Sequence, residues 1–143
     1  MSGWLLDTNV LSELRRKCPE PAVEQFIAAQ PLVDLYVSEV TFAEIRFGIE
    51  LIGDLERRAE LYHWLDQRLR PLFDRRVLPV TEGILLQWRL LIEAGRKRGH
   101  TCSHPDILIA ATAAQHGLTV VTRNTGEFVA AGVAVFSPWE EAI

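Results

Sequence analysis

Trp4-Leu5-Leu6-Asp7-Thr8-Asn9-Val10-Leu11 is the stretch on which the fold turns. Three apolar residues in a row read as a short strand buried on both faces, the kind found in parallel sheets. Asp7, Thr8 and Asn9 then offer side-chain oxygens that cap a helix, and Val10, Leu11 and Leu14 start a helical spacing. A strand that turns at once into a helix is the opening of an α/β chain. The acid at the turn serves as a cap, as a functional group, or as both.

The same grammar recurs downstream. After Pro19 and Pro21, Ala22 to Gln30 reads as a helix, and Leu32 to Val37 as a second strand stopped by Ser38. Ser38 opens a third helix in which Val40, Ala43, Phe47 and Leu51 recur at helical spacing. Asp54 restarts the periodicity through Leu55, Leu61, Leu65 and Leu69 as far as Pro71, and Val77 to Val80 predicts a short strand. Thr81 caps a helix carrying Ile84, Leu85, Trp88, Leu91 and Ile92, which ends in Arg96, Lys97, Arg98 and Gly99, as the helix dipole favours. Ser103-His104-Pro105-Asp106 supplies a cap, an early proline and a first-turn acid for a helix ending at His116-Gly117. Leu118 to Val121 and Val133 to Phe136 complete the strands. Strands alternating with helices predict an α/β fold with a parallel sheet covered on both faces, whose functional groups gather beyond the carboxyl ends of the strands.

Composition sets the outer bounds. The chain has 143 residues, 48% of them hydrophobic and 24% charged, which reads as one domain over 1–143 with its own core and excludes long disorder or a collagen-like repeat. Its longest uncharged apolar stretch, Ile107 to Ala114, is well short of the roughly 20 residues that span a bilayer. Asp7 interrupts the first apolar run where a secretory signal would continue it, so the expected location is the cytoplasm. Cys18 and Cys102 are too few for a disulfide framework. The net charge of −4 argues against general adhesion to nucleic acid, yet Arg57 to Arg98 holds ten Lys or Arg against five acids, with five against fourteen elsewhere. That middle segment is a candidate phosphate-facing surface, although solvated helix faces are the commoner explanation of any one such charge.

Four separated stretches end on oxygen-bearing groups: Asp7, Glu44, Asp106, and Asn124 with Glu127. Hard oxygen ligands gathered without Cys or His select Mg²⁺ or Mn²⁺, and such a cluster points to phosphoryl transfer. Glu44, flanked by Phe42, Ala43, Ile45 and Phe47, requires a partner, because a lone carboxylate in an apolar setting is costly. Arg46 faces the other side of the helix, which leaves a metal or a distant cation. His100, Cys102 and His104 resemble a zinc cluster but lack a second ligand pair. His104 is expected to border the Asp106 site, and Arg123 is a candidate phosphate contact. Trp64, Phe73 and Trp88 fall at helix-core spacing.

Leu5-Leu6-Asp7-Thr8-Asn9-Val10-Leu11-Ser12-Glu13-Leu14, Val40-Thr41-Phe42-Ala43-Glu44-Ile45-Arg46-Phe47-Gly48-Ile49, Pro105-Asp106-Ile107-Leu108-Ile109-Ala110-Ala111-Thr112-Ala113 and Val121-Thr122-Arg123-Asn124 with Phe128 together resemble PIN-domain proteins. The likeness is nearest to the VapC and FitB toxins of bacterial toxin–antitoxin pairs. It implies a Rossmann-like α/β/α sandwich around a mainly parallel sheet and a Mg²⁺-dependent endoribonuclease that hydrolyses RNA phosphodiesters. It also implies homodimerisation, neutralisation by a cognate antitoxin in a hetero-oligomer, and contact with DNA only through that antitoxin. Asp7, Glu44 and Asp106 match the family's three acidic positions, while the fourth is Asn124, where many relatives carry Asp. On this reading Asn124 or Glu127 completes the metal shell, with Glu127 favoured through a water because Thr125-Gly126 gives the chain room to turn back toward the site, and Asn9 and Thr122 orient the carboxylates. The alternative is a FitB-like binding module that acts on operator DNA with its antitoxin and has little nuclease activity.

Overall fold

The computed structural model describes residues 3–99 and 104–140. Its central sheet has five parallel strands in the order β3-β2-β1-β4-β5: β1 Trp4–Leu6, β2 Leu35–Ser38, β3 Val77–Leu78, β4 Thr119–Val121 and β5 Val135–Phe136. Helices α1 (Thr8–Arg15), α2 (Pro21–Ala29), α3 (Glu39–Glu50), α4 (Leu55–Trp64), α5 (Glu82–Lys97), α6 (His104–His116) and α7 (Thr125–Ala130) connect and cover it.

The short apolar strands explain the three layers. Successive side chains point to opposite faces, so each strand feeds two cores. Leu6, Leu35, Val37 and Val121 pack with Val10, Leu11, Val23, Phe42, Leu61 and Leu65 from α1 to α4 and the turn after it. Leu5 and Val120 pack on the other face with Ile109, Ala110, Ala113 and Phe128 from α6 and α7. An α/β/α sandwich follows. Among the described residues no helix is long and apolar enough to cross a membrane.

The caps form where the sequence places them. Asp7 accepts from the Thr8 amide, Ser38 from Val40, Asp54 from Glu56 and Arg57, and Thr81 from Ile84. Gly117 ends α6 with φ +65°, a left-handed conformation that glycine adopts without a Cβ clash. The expected Ser103 cap, and the His100–Cys102 part of the zinc-like cluster, lie outside the described residues.

Three expectations need correction. Leu32–Asp34 is a 3-10 turn and the strand begins only at Leu35. The helical period of α3 is right but its buried face is not the expected one: Thr41, Phe42 and Ile49 are buried, while Phe47 and Leu51 are 65% and 69% exposed. The chain after Asn124 forms α7, so Thr125-Gly126 is a first helical turn and does not fold the chain back on itself.

Candidate active site

Leu6 of β1 pairs with Val121 of β4, so the next residues, Asp7 and Thr122, lie side by side where both strands end. The sheet order reverses at this point, since β1 leads outward to β2 while β4 lies on its other side. A crevice beyond strand ends at such a switch is where open α/β sheets bind ligands. A cleft of about 500 Å³ occupies it, lined by Asp7, by Thr8, Asn9, Ser12, Glu13 and Arg15 of α1 and Arg16 just after it, and by Glu44, Asp106 and Asn124.

Asp7 is 3% exposed and held on every side. Its Oδ1 accepts from the Thr8 amide at 2.8 Å, and its Oδ2 accepts from the Thr122 hydroxyl at 2.8 Å and from Asn9 Nδ2 at 3.4 Å. Thr122, itself fully buried, accepts from Asn9 Nδ2 at 3.2 Å and from the Asn124 amide at 3.0 Å. Asn9 Oδ1 accepts from the Arg123 amide at 3.2 Å, which ties α1 to the turn after β4. Burial lifts the Asp7 carboxyl from 3.8 to about 6 against the hydrogen bonds from Thr122 and Thr8, and the charges of Asp106 and Glu44 add to the rise.

Within the chain, Glu44 has Thr8 as its partner. Its Oε1 accepts from the Thr8 hydroxyl at 2.9 Å, and its surroundings are half-open because Ala43 and Phe47 face solvent. Burial still raises its pKa, the Thr8 hydroxyl opposes this, and the Asp106 charge reinforces it. Three acids, one just after β1 and one each on α3 and α6, therefore sense one another across one cleft. They do not form a closed cage: among the described residues no three Asp, Glu, His or Cys side chains stand close enough together to hold one ion. Like charges repel, and the near partners of Asp7 and Glu44 are hydroxyls and amides. The donor set, all hard oxygens around a buried carboxylate of raised pKa, suits a divalent cation in its chemistry.

The remaining expected residues divide. Asn124 lines the cleft, whereas Glu127, in the first turn of α7, does not. Arg123 is exposed with its guanidinium 5.4 Å from the centroid of the Trp139 ring and does not line the cleft. The side chain of His104 lies outside the described residues.

The basic middle segment does not supply the cleft. Arg58, Arg70 and Arg96 pair with Glu50, Asp66 and Glu93, Arg76 donates to the Leu32, Leu35 and Leu72 carbonyls, and Arg98 donates to the Ala130 carbonyl. The cations on the cleft wall are Arg15 and Arg16, which the sequence reading missed. Their one signal was position, one turn apart from Ser12 on the helix that Asp7 caps. Glu13 is buried on the same helix, where it accepts from the Glu20 amide at 2.8 Å and pairs with Arg16 at 3.2 Å. The Glu20 amide and then Arg16 hold its carboxyl below the usual range.

Known proteins share this fold. The PIN domain family matches residues 4–133. Toxin FitB of Neisseria gonorrhoeae is 41% identical over 96% of this chain and 99% of its own. VapC ribonuclease Y4jK of Sinorhizobium fredii is 38% identical over 96% and 99%. A solved structure described as FitAB bound to an IR36 DNA fragment superposes with a TM-score of 0.89 at 40% identity, covering 95% of each chain.

Proposed function

Because this chain belongs to the PIN-domain family, in its VapC and FitB toxin branch, we propose that it is the metal-dependent endoribonuclease of a toxin–antitoxin pair, acting in the cytoplasm. The observation that carries the reading is Asp7: a carboxylate at the sheet's switch point, fixed by Thr8, Asn9 and Thr122, its pKa raised by burial and then by two further acids across one cleft. Such a group is costly unless its charge is used.

Asp7, Glu44 and Asp106, which do not close on an ion as they stand, would have to draw together to hold Mg²⁺ or Mn²⁺, with Asn124 at the fourth position through its neutral oxygen. Bound there, the ion supplies an activated water and charge stabilisation for phosphodiester hydrolysis. The chain's own groups do the rest. Thr122 and Asn9 keep Asp7 oriented, as ligand carboxylates require. Arg15, on the cleft wall, offsets the charge of an entering phosphate, while Arg16 is shared with Glu13. Glu127 in α7 is assigned no direct role.

A toxin needs a neutralising partner, and the exposed Phe47, Leu51 and Leu55 at the α3–α4 corner offer an apolar surface for an amphipathic antitoxin helix. Leu85, Leu86 and Leu90 on α5 form a second exposed patch, suited to another copy of the chain in a homodimer. The resemblance to a DNA-bound FitAB structure favours a second reading, in which the chain mainly serves an operator-binding complex with its antitoxin.

Mapping of new RNA 5′ ends after brief induction separates the two. The nuclease reading expects discrete new ends with the wild type and none with Asp106→Asn. Identical end profiles for both chains would sink it.

A further inference from the structure

The cleft continues past the carboxylates. A recess of about 260 Å³ adjoins it between α3 and α4, walled by Ile45, Ile52 and Trp64 and sharing Thr8, Arg15 and Glu44 with the cleft. The Arg15 guanidinium lies 5.9 Å from the centroid of the Trp64 ring, so one planar cation borders both the acidic floor and an aromatic face. Part of the wall is Gly48, where a Cβ would meet no atom within 4 Å. A larger residue there would project into open space beside the recess that Gly48 lines.

Apolar sides, an aromatic face and a planar cation are the features on which bases of single-stranded RNA stack. In a nucleotide the planar base and the charged phosphate are separated by one sugar, and here Arg15 spans the border between a ring-lined recess and the proposed phosphate site. An apolar peptide side chain would match the walls but leave the cation at the border unused. Building on the ribonuclease reading, we infer that this recess receives the nucleobase adjoining the scissile phosphate, against the Arg15–Trp64 pair, and so helps choose where the chain cuts.

Gly48→Leu tests this from an exposed helical position, where leucine also favours the helix. The probe is a short single-stranded RNA carrying the mapped cleavage site, intact or with either flanking nucleotide replaced by an abasic ribose. Expected is a loss in kcat/KM on the order of tenfold, mainly in KM, for wild type on one abasic RNA and for Gly48→Leu on intact RNA. The two losses should not multiply when combined. Arg15→Met should shift cleavage in the same direction. Wild-type cleavage by Gly48→Leu, or fully multiplying losses, overturns the inference. Gly48→Leu that loses a co-expressed antitoxin but cleaves both RNAs normally assigns the recess to protein and overturns it too. If the wild type cleaves nothing with Mg²⁺, the ribonuclease reading fails separately. The recess is then judged by anisotropy of the same labelled RNAs, where equal binding of intact RNA by wild type and Gly48→Leu rejects it.

Discussion

Asp7 shows how one buried carboxylate links the sequence, the stability and the chemistry of this chain. In the unfolded chain it titrates near 3.8, and in the folded chain near 6. Between those values the folded state holds the extra proton, so the contribution of this group to stability falls as pH rises through the window and stays low above it. The folded, ionised form is disfavoured by on the order of 2–3 kcal/mol. Asn keeps the capping oxygen. Metal-free Asp7→Asn is therefore expected to melt with the wild type at pH 4 and about 5 °C or more above it at pH 7.5; equal melting temperatures at both would show that the buried charge is not felt. Thr122 gives a second test. Thr122→Val removes the hydroxyl that donates to Asp7, and a cleavage loss of roughly 10- to 100-fold is expected, with Thr122→Ser close to wild type. Full activity in Thr122→Val would leave that hydrogen bond with no part in the reaction. Asp7 was legible because strand ends and caps are local signals, while the orienting parts of Asn9 and Thr122 were implied by the family resemblance. The Thr8 partner of Glu44 and the place of Arg15 were not, because both depend on how α1 packs beside α3.

At the scale of elements, α3 shows where periodicity stops being informative. The repeat of Val40, Ala43, Phe47 and Leu51 marks a helix, but both sides of α3 carry apolar residues, and only the sheet decides that Phe42 and Ile49 are buried. The residual apolar face is then available to a partner. Phe47→Ser combined with Leu51→Ser should move the melting temperature by only a few degrees, as exposed substitutions do, while weakening capture of the antitoxin at least about tenfold. Collapse of the fold in this double variant, or undiminished capture, would contradict the assignment of this corner. Helix α7 escaped the sequence reading for a simpler reason. Six residues, with a glycine in the first turn and no side-chain cap, give too little pattern to detect.

For the whole molecule, the parallel sheet brings distant positions together. Alternating strands and helices made the architecture readable, and the rule for strand ends located Asp7 and Asn124. The sequence separation of Asp7, Glu44 and Asp106 held no information on their spacing, which depends on the crossovers that set the order β3-β2-β1-β4-β5. The central claim is that these three acids form one catalytic unit, and it is tested most directly with purified protein and RNA carrying a mapped cleavage site, in Mg²⁺ or in chelator. The account predicts cleavage by the wild type only with metal, and a loss of at least about a hundredfold in Asp106→Asn whose circular dichroism matches the wild type. Undiminished cleavage by that folded variant, or wild-type cleavage that persists in chelator, would contradict it.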